Sequence, residues 1–117
     1  MLTLLTVLEA EGCSIAGTLQ ETMMGNEQFY VKMLKKLEKN TSIDKLEAAF
    51  AAKDVAACFA ASHDLKGMYA TLGLTPLHEF CKEIVETARA GKMDGFETSI
   101  PELKSMHERF LQIIASN

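Results

Sequence analysis

Apolar residues recur at spacings of three and four along almost the whole chain, and no segment shows sustained alternation of apolar and polar residues. The first spacing places apolar side chains on one face of a helix, whereas alternation would indicate a strand. Alanine, leucine, glutamate, lysine and methionine, which dominate the sequence, also favour helix. Since the predicted helices are amphipathic and their connections short, the pattern predicts an all-α antiparallel bundle.

Capping residues divide the chain into predicted helices. Asn26 and Asp54 are good N-caps, Gly73 suits a helix C-terminus, and Thr75-Pro76 suggests a threonine cap followed by proline at the first helical position. The predicted helices cover residues 2–11, 14–24, 26–37, 42–53, 54–72 and 75–88, and a last one that begins around Ser99–Pro101.

The 117 residues predict one domain, 1–117, with a helical extension over about residues 1–12. The formal net charge of −4 disfavours nucleic acid, which requires a clustered positive surface. The short basic run at Lys32–Lys36 is interpreted as a solvated helix face. The apolar N-terminus lacks a basic leader and is interrupted by Glu9, so it predicts neither a signal peptide nor a membrane span.

Three cysteines occur without the close pairing of a zinc or redox motif: Cys13, Cys58 and Cys81. Each falls within an apolar helical pattern. They are interpreted as small core residues that stay reduced in a cytoplasm, which is the expected location of the protein.

The predicted helix 54–72 carries a histidine on its outer face. Its apolar stripe contains Val55, Cys58, Phe59, Ser62, Leu65, Met68, Tyr69 and Leu72. His63 lies well over 100° from the centre of that stripe. The neighbours of His63 on the outer face are all small: Ala56, Ala60, Gly67 and Ala70.

The residues around His63 favour a chemical role. Imidazole has an ordinary pKa near 6.5 and is largely a neutral nucleophile at cell pH. Lys66, one turn later, could neutralise a phosphoryl group on the ring, and Phe59 flanks the same side. Gly67 costs the helix roughly 1 kcal/mol relative to alanine. That cost suggests that a partner must approach His63 closely over Gly67 and the alanines.

Residues 61–67, ASHDLKG, followed by Leu72-Gly73, Leu77 and Cys81, resemble the signature of histidine-containing phosphotransfer (HPt) domains. Further similarities extend the resemblance to about residues 12–115: Gly12-Cys13, the segment 24–30 (MGNEQFY), residues 46–49 (LEAA) and Asp54.

The resemblance implies an up-and-down four-helix bundle with an additional N-terminal helix. It implies that His63 carries a phosphoryl group between response-regulator receiver domains, or from a hybrid sensor histidine kinase, in bacterial two-component signalling. Lys66 would steady the phosphoryl group and Gly67 would give the receiver room. The chain would act as a phosphocarrier without autonomous kinase activity. It would need no cofactor, because magnesium would belong to the receiver. A monomer without membrane contact is expected.

One position departs from the family pattern. Many members carry a glutamate or glutamine on the following helix that hydrogen-bonds the imidazole, and that position is Val85 here. Glu86 and Lys82 are the nearby alternatives.

Two other functions are compatible with the residues. A helical adaptor could bind a receiver or another partner without phosphotransfer. Alternatively, His78, Cys81 and His107 could form a metal site, since the first two lie three apart on one predicted helix. Against the metal site, Cys81 falls in an apolar stripe and no further ligand has a matching spacing.

Overall fold

The computed structural model describes residues 3–116, which contain helices and no strand. The helices are α1 (Leu4–Ala10), α2 (Ile15–Glu21), α3 (Glu27–Lys35), a 3₁₀ helix (Lys36–Lys39), α4 (Ser42–Ala51), α5 (Val55–Thr71), α6 (Thr75–Arg89) and α7 (Phe96–Ser116). The all-α prediction is confirmed.

Two predicted N-caps bind the backbone as expected. The Asn26 side chain accepts a hydrogen bond from the Phe29 amide at 2.9 Å, and the Asp54 carboxylate accepts one from the Ala57 amide at 3.0 Å. Each bond satisfies an amide that has no partner within the first turn of its helix. The starts of α3 and α5 are therefore set by local sequence.

Thr75 is not the N-cap that the sequence suggested. It is the first residue of α6, whose capping position, Leu74, provides no side-chain bond. The Thr75 hydroxyl instead lies 2.7 Å from the hydroxyl of Ser14, and it also accepts a hydrogen bond from the Ser14 amide at 3.2 Å. A contact between distant segments has replaced the local cap.

Two other helix boundaries were wrong. Helix α2 ends at Glu21, before Met24, because Met24 and Gly25 both adopt positive φ and turn the chain. Helix α7 begins at Phe96, so Pro101 lies inside it. The Phe96 side chain is buried and its ring contacts that of Phe50 in an edge-on geometry, with centroids 5.9 Å apart. Burial of this large ring starts the helix before the proline.

Helices α4 to α7 form a bundle. Helix α5 packs against both α4 and α6, α6 packs against α7, and α4 also contacts α7. The N-terminal helices lie against this unit, with α1 and α3 both contacting α7. The helical bundle is confirmed, and the up-and-down course of its four helices stays a prediction.

Two buried tyrosines fix the C-terminal half of α5. The Tyr30 hydroxyl donates to the Leu72 carbonyl at 2.6 Å, and the Tyr69 hydroxyl lies 2.7 Å from Nδ1 of His107 on α7. Gly73 follows α5 with φ +71°, and a Cβ there would lie 2.7 Å from the Tyr30 hydroxyl oxygen. The helix that carries His63 is thus held by contacts on its inner side.

The three cysteines are buried and unpaired, as predicted for core residues. Burial raises the pKa of Cys13 to about 11 and that of Cys81 to about 12. Thiols with such pKa values are poor nucleophiles at neutral pH. Among the described residues, no helix is long and apolar enough to cross a membrane.

Candidate functional site

Helix α5 presents His63 to solvent while the opposite side of the helix is buried. Cys58, Leu65 and Tyr69 are fully buried, whereas His63 is exposed. Phe59 and Lys66, which flank His63 on one side, are half-buried. The predicted placement of these side chains is confirmed.

Around His63 the outer face of α5 carries few side-chain atoms. Ala56, Ala60, Gly67 and Ala70 are all exposed. A Cβ at Gly67 would meet no atom within 4 Å, and Gly67 does not have a positive φ. Nothing in the described fold therefore requires glycine at position 67, in contrast to Gly73.

The His63 ring lies against Phe59. The two ring centroids are 5.5 Å apart and the rings are tilted by 34°. The Arg89 guanidinium carbon lies 5.3 Å from the centroid of the same Phe59 ring, which is within cation–π range. Arg89 also pairs with Glu86 at 3.4 Å. The Phe59 ring therefore contacts both the imidazole of His63 and the guanidinium of Arg89 from α6.

Arg89 was missed by sequence analysis. Its only local signal is its position one turn after Val85, the residue expected to face the imidazole. Its approach to Phe59 depends on how α5 and α6 pack, which spacing within one helix does not determine.

Lys66 lies on the side of α5 that faces α6. Its charge acts on the Cys81 thiol of α6, where it opposes the rise in pKa that burial causes. Within residues 3–116, Lys66 forms no ion pair with a carboxylate. Its positive charge is therefore not neutralised by a neighbouring side chain.

The model of one protein family, described as the Hpt domain, matches residues 34–113. The chain belongs to the Hpt domain family. The matched range holds His63, helices α4 to α6 and all but the last residues of α7, whereas α1 and α2 precede it. Searches of curated proteins and of solved structures each returned no significant match.

Membership of the Hpt family connects the chain with phosphotransfer in two-component signalling and with receiver domains and kinases as partners. An exposed histidine on a bundle helix suits that chemistry, because phosphoryl transfer depends mainly on positioning and on charge neutralisation.

The position on α6 where a polar partner of the imidazole was expected holds Val85. Val85 is fully buried and apolar. Glu86 is exposed and pairs with Arg89, and Lys82 is exposed. Within the described chain the His63 side chain forms no hydrogen bond to another residue, and its ring contacts that of Phe59.

The three residues of the alternative metal site lie in different environments. The Cys81 thiol is buried and donates to the Ser62 carbonyl at 3.3 Å, and His107 is buried beside Tyr69. His78 lies 3.4 Å from the carboxylate of Glu79. Residues 3–116 contain no group of three or more histidine, cysteine or acidic side chains placed to hold a metal ion.

Proposed function

We propose that this Hpt domain is a phosphorelay carrier and that His63 is its phosphoacceptor. The observation that carries the proposal is the exposed His63 on a side-chain-poor helix face within the range matched by the family model. The phosphoryl donor is the aspartyl phosphate of a receiver domain, including one joined to a hybrid sensor kinase. The acceptor is the aspartate of another response regulator.

The transfer to His63 needs one nucleophile and one leaving group. The unprotonated ring nitrogen of His63 attacks phosphorus, the phosphorus–oxygen bond of the aspartyl phosphate breaks, and the receiver carboxylate leaves with that electron pair. The second transfer reverses these roles toward a new aspartate. Magnesium is supplied by the receiver, which provides the acidic ligands that such an ion prefers.

Each neighbour of His63 has a role in this proposal. Lys66 neutralises charge on the transferred group. Gly67, with the exposed methyl groups of Ala56, Ala60 and Ala70, lets the receiver approach closely, and Phe59 borders the docking surface. The contact with the Phe59 ring limits rotation of the imidazole. This ring contact positions the imidazole at a site where Val85 cannot donate or accept a hydrogen bond.

The deciding experiment is phosphoryl transfer from a labelled receiver aspartyl phosphate to three proteins: wild type, His63→Gln and His78→Gln. His78 is a matched control because it is the other histidine with solvent access among the described residues. We expect acid-labile, alkali-stable label on wild type and His78→Gln, and none on His63→Gln.

Label on His63→Gln would place the chemistry on another residue and contradict the proposal. Receiver binding without label on any of the three proteins would instead support the adaptor function. The two functions are therefore separated by one set of samples.

A further inference from the structure

A cleft of about 390 Å³ lies beside α5, on the side away from Lys66 and α6. It separates the C-terminal half of α5 from α3 and the 3₁₀ helix. Its lining is apolar at the base and polar at the rim: Met33, Leu37, Met68 and Leu72, with Lys36, Lys39, Asn40 and Thr71. Leu37 and Leu72 are buried, whereas Met33 and Met68 are half-buried and so offer apolar surface to a ligand.

The rim of the cleft is positively charged. Lys36 and Lys39 are exposed, and neither forms an ion pair within residues 3–116. The segment 32–39 holds four lysines and one glutamate in a chain whose net charge is −4. This local reversal of charge favours a partner that presents carboxylates.

The rim of the cleft at Thr71 falls within reach of a protein seated over His63. Thr71 is exposed and lies about 12 Å along the helix axis and about 80° around it from His63, whereas Met68 lies about 140° around and faces the base of the cleft. A typical interface buries about 800 Å² on each partner, equivalent to a disc of about 16 Å radius. A receiver centred on His63 therefore reaches the rim of the cleft at Thr71.

We propose that this cleft is a docking site for the receiver that exchanges a phosphoryl group with His63, and that it accepts an apolar side chain flanked by acidic residues of that receiver. The inference rests on the proposed function and adds a basis for partner choice. A receiver that lacks the apolar side chain or the acidic residues beside it would leave the cleft unfilled or Lys36 and Lys39 unpaired. Such a receiver would bind more weakly.

The test is binding of purified receiver domains from the genome that encodes this chain, measured by calorimetry in the His63→Gln background so that no transfer occurs. The main variant is Lys36→Glu with Lys39→Glu. The matched control is Lys32→Glu with Lys35→Glu, which makes the same change in charge outside the cleft. We expect the cleft variant to weaken binding at least about tenfold at low salt, with a smaller loss at high salt, and the control to change it by less than about threefold.

A second variant tests the cleft without changing charge. Thr71→Trp places a large side chain at the rim from an exposed position of α5. We expect a loss of binding of about tenfold or more that does not depend on salt, because the obstruction is steric. Thermal unfolding of each variant, followed by circular dichroism, shows that the fold is retained.

Each remaining outcome has one meaning. Equal weakening by both lysine pairs, or no weakening by the cleft variants, would overturn the cleft proposal and leave the phosphocarrier function intact. Failure of every receiver to bind the His63→Gln protein and to transfer to the wild type would overturn the proposed function, and the cleft proposal with it.

Discussion

At the scale of single residues, Lys66 is the cation one turn after His63, and no carboxylate among the described residues neutralises it. We expect Lys66→Ala to slow transfer to His63 about tenfold or more, because the phosphoryl group loses a nearby positive charge. The helix should stay intact, since alanine favours helix. The measurement is the initial rate of label transfer from a receiver, with Lys92→Ala as the control at an exposed cation in a loop.

An unchanged rate for Lys66→Ala would show that Lys66 does not contact the phosphoryl group. Arg89, which reaches the Phe59 ring, would then be the next cation to replace. A drop in thermal stability together with the rate would indicate loss of packing by the lysine methylene groups instead.

The exposure of His63 could be predicted from sequence because it depends on geometry within one helix. Residues three and four apart share a face whatever the helix packs against. The approach of Arg89 to Phe59 and the pairing of Tyr69 with His107 could not be predicted, since each joins two helices through packing. Tyr69 was correctly placed in the core stripe of α5, but its partner on α7 was not identified.

At the scale of secondary structure, α5 contains a glycine that its own packing does not require. A Cβ at Gly67 would meet no atom within 4 Å, so Gly67→Gln should add helix propensity and stabilise the protein by about 0.5–1 kcal/mol. The same side chain would stand where a receiver must approach His63. We therefore expect a higher midpoint in urea unfolding together with transfer slowed at least about tenfold.

Gly17 offers a matched control for this substitution. It is a helical, exposed glycine of α2, and a Cβ there would likewise meet no atom within 4 Å. Gly17→Gln should stabilise the protein in the same direction without slowing transfer. Normal transfer by Gly67→Gln would show that the glycine is not needed for docking. The loss of helix stability that Gly67 causes would then have no functional explanation.

Helix starts were predictable where a cap acts locally and not where tertiary contacts decide. Asn26 and Asp54 bind amides of their own helices, so their sequence signals were sufficient. The predicted start of α7 was wrong because the burial of Phe96 against Phe50 outweighs the helix-start signal of Pro101. Thr75 was wrong as a cap because its hydroxyl bonds to Ser14, far away in sequence.

At the scale of the whole molecule, the bundle carries one buried histidine that joins two helices. The His107 side chain on α7 is 5% exposed, and its Nδ1 lies 2.7 Å from the hydroxyl of Tyr69 on α5. Burial lowers the pKa of His107 below its ordinary value of 6.5, although the charges of Glu108 and Asp44 oppose that shift. In the neutral ring, Nδ1 can accept the tyrosine hydrogen. Protonation would remove that acceptor.

This lowered pKa predicts a loss of stability in mild acid. Since the folded state binds the proton less readily than the unfolded state, the unfolded chain gains protons first as pH falls below about 6.5. Above that pH, His107 should not change the free energy of unfolding. Below it, the free energy of unfolding should fall by at most about 1.4 kcal/mol per pH unit, until the pH reaches the pKa of His107 in the folded protein. Urea unfolding between about pH 5 and 7.5 would measure the slope.

His107→Gln removes the titrating group and should flatten that decline, and His78→Gln is the control substitution at a partly exposed histidine. An identical slope in wild type and His107→Gln would show that other groups cause the acid sensitivity. Because Tyr69 lies on the inner side of α5, the same protonation would loosen α5 from α7 behind His63. This loosening requires protonation of the folded protein, so it sets in only below the lowered pKa of His107 and not where stability first declines below about pH 6.5.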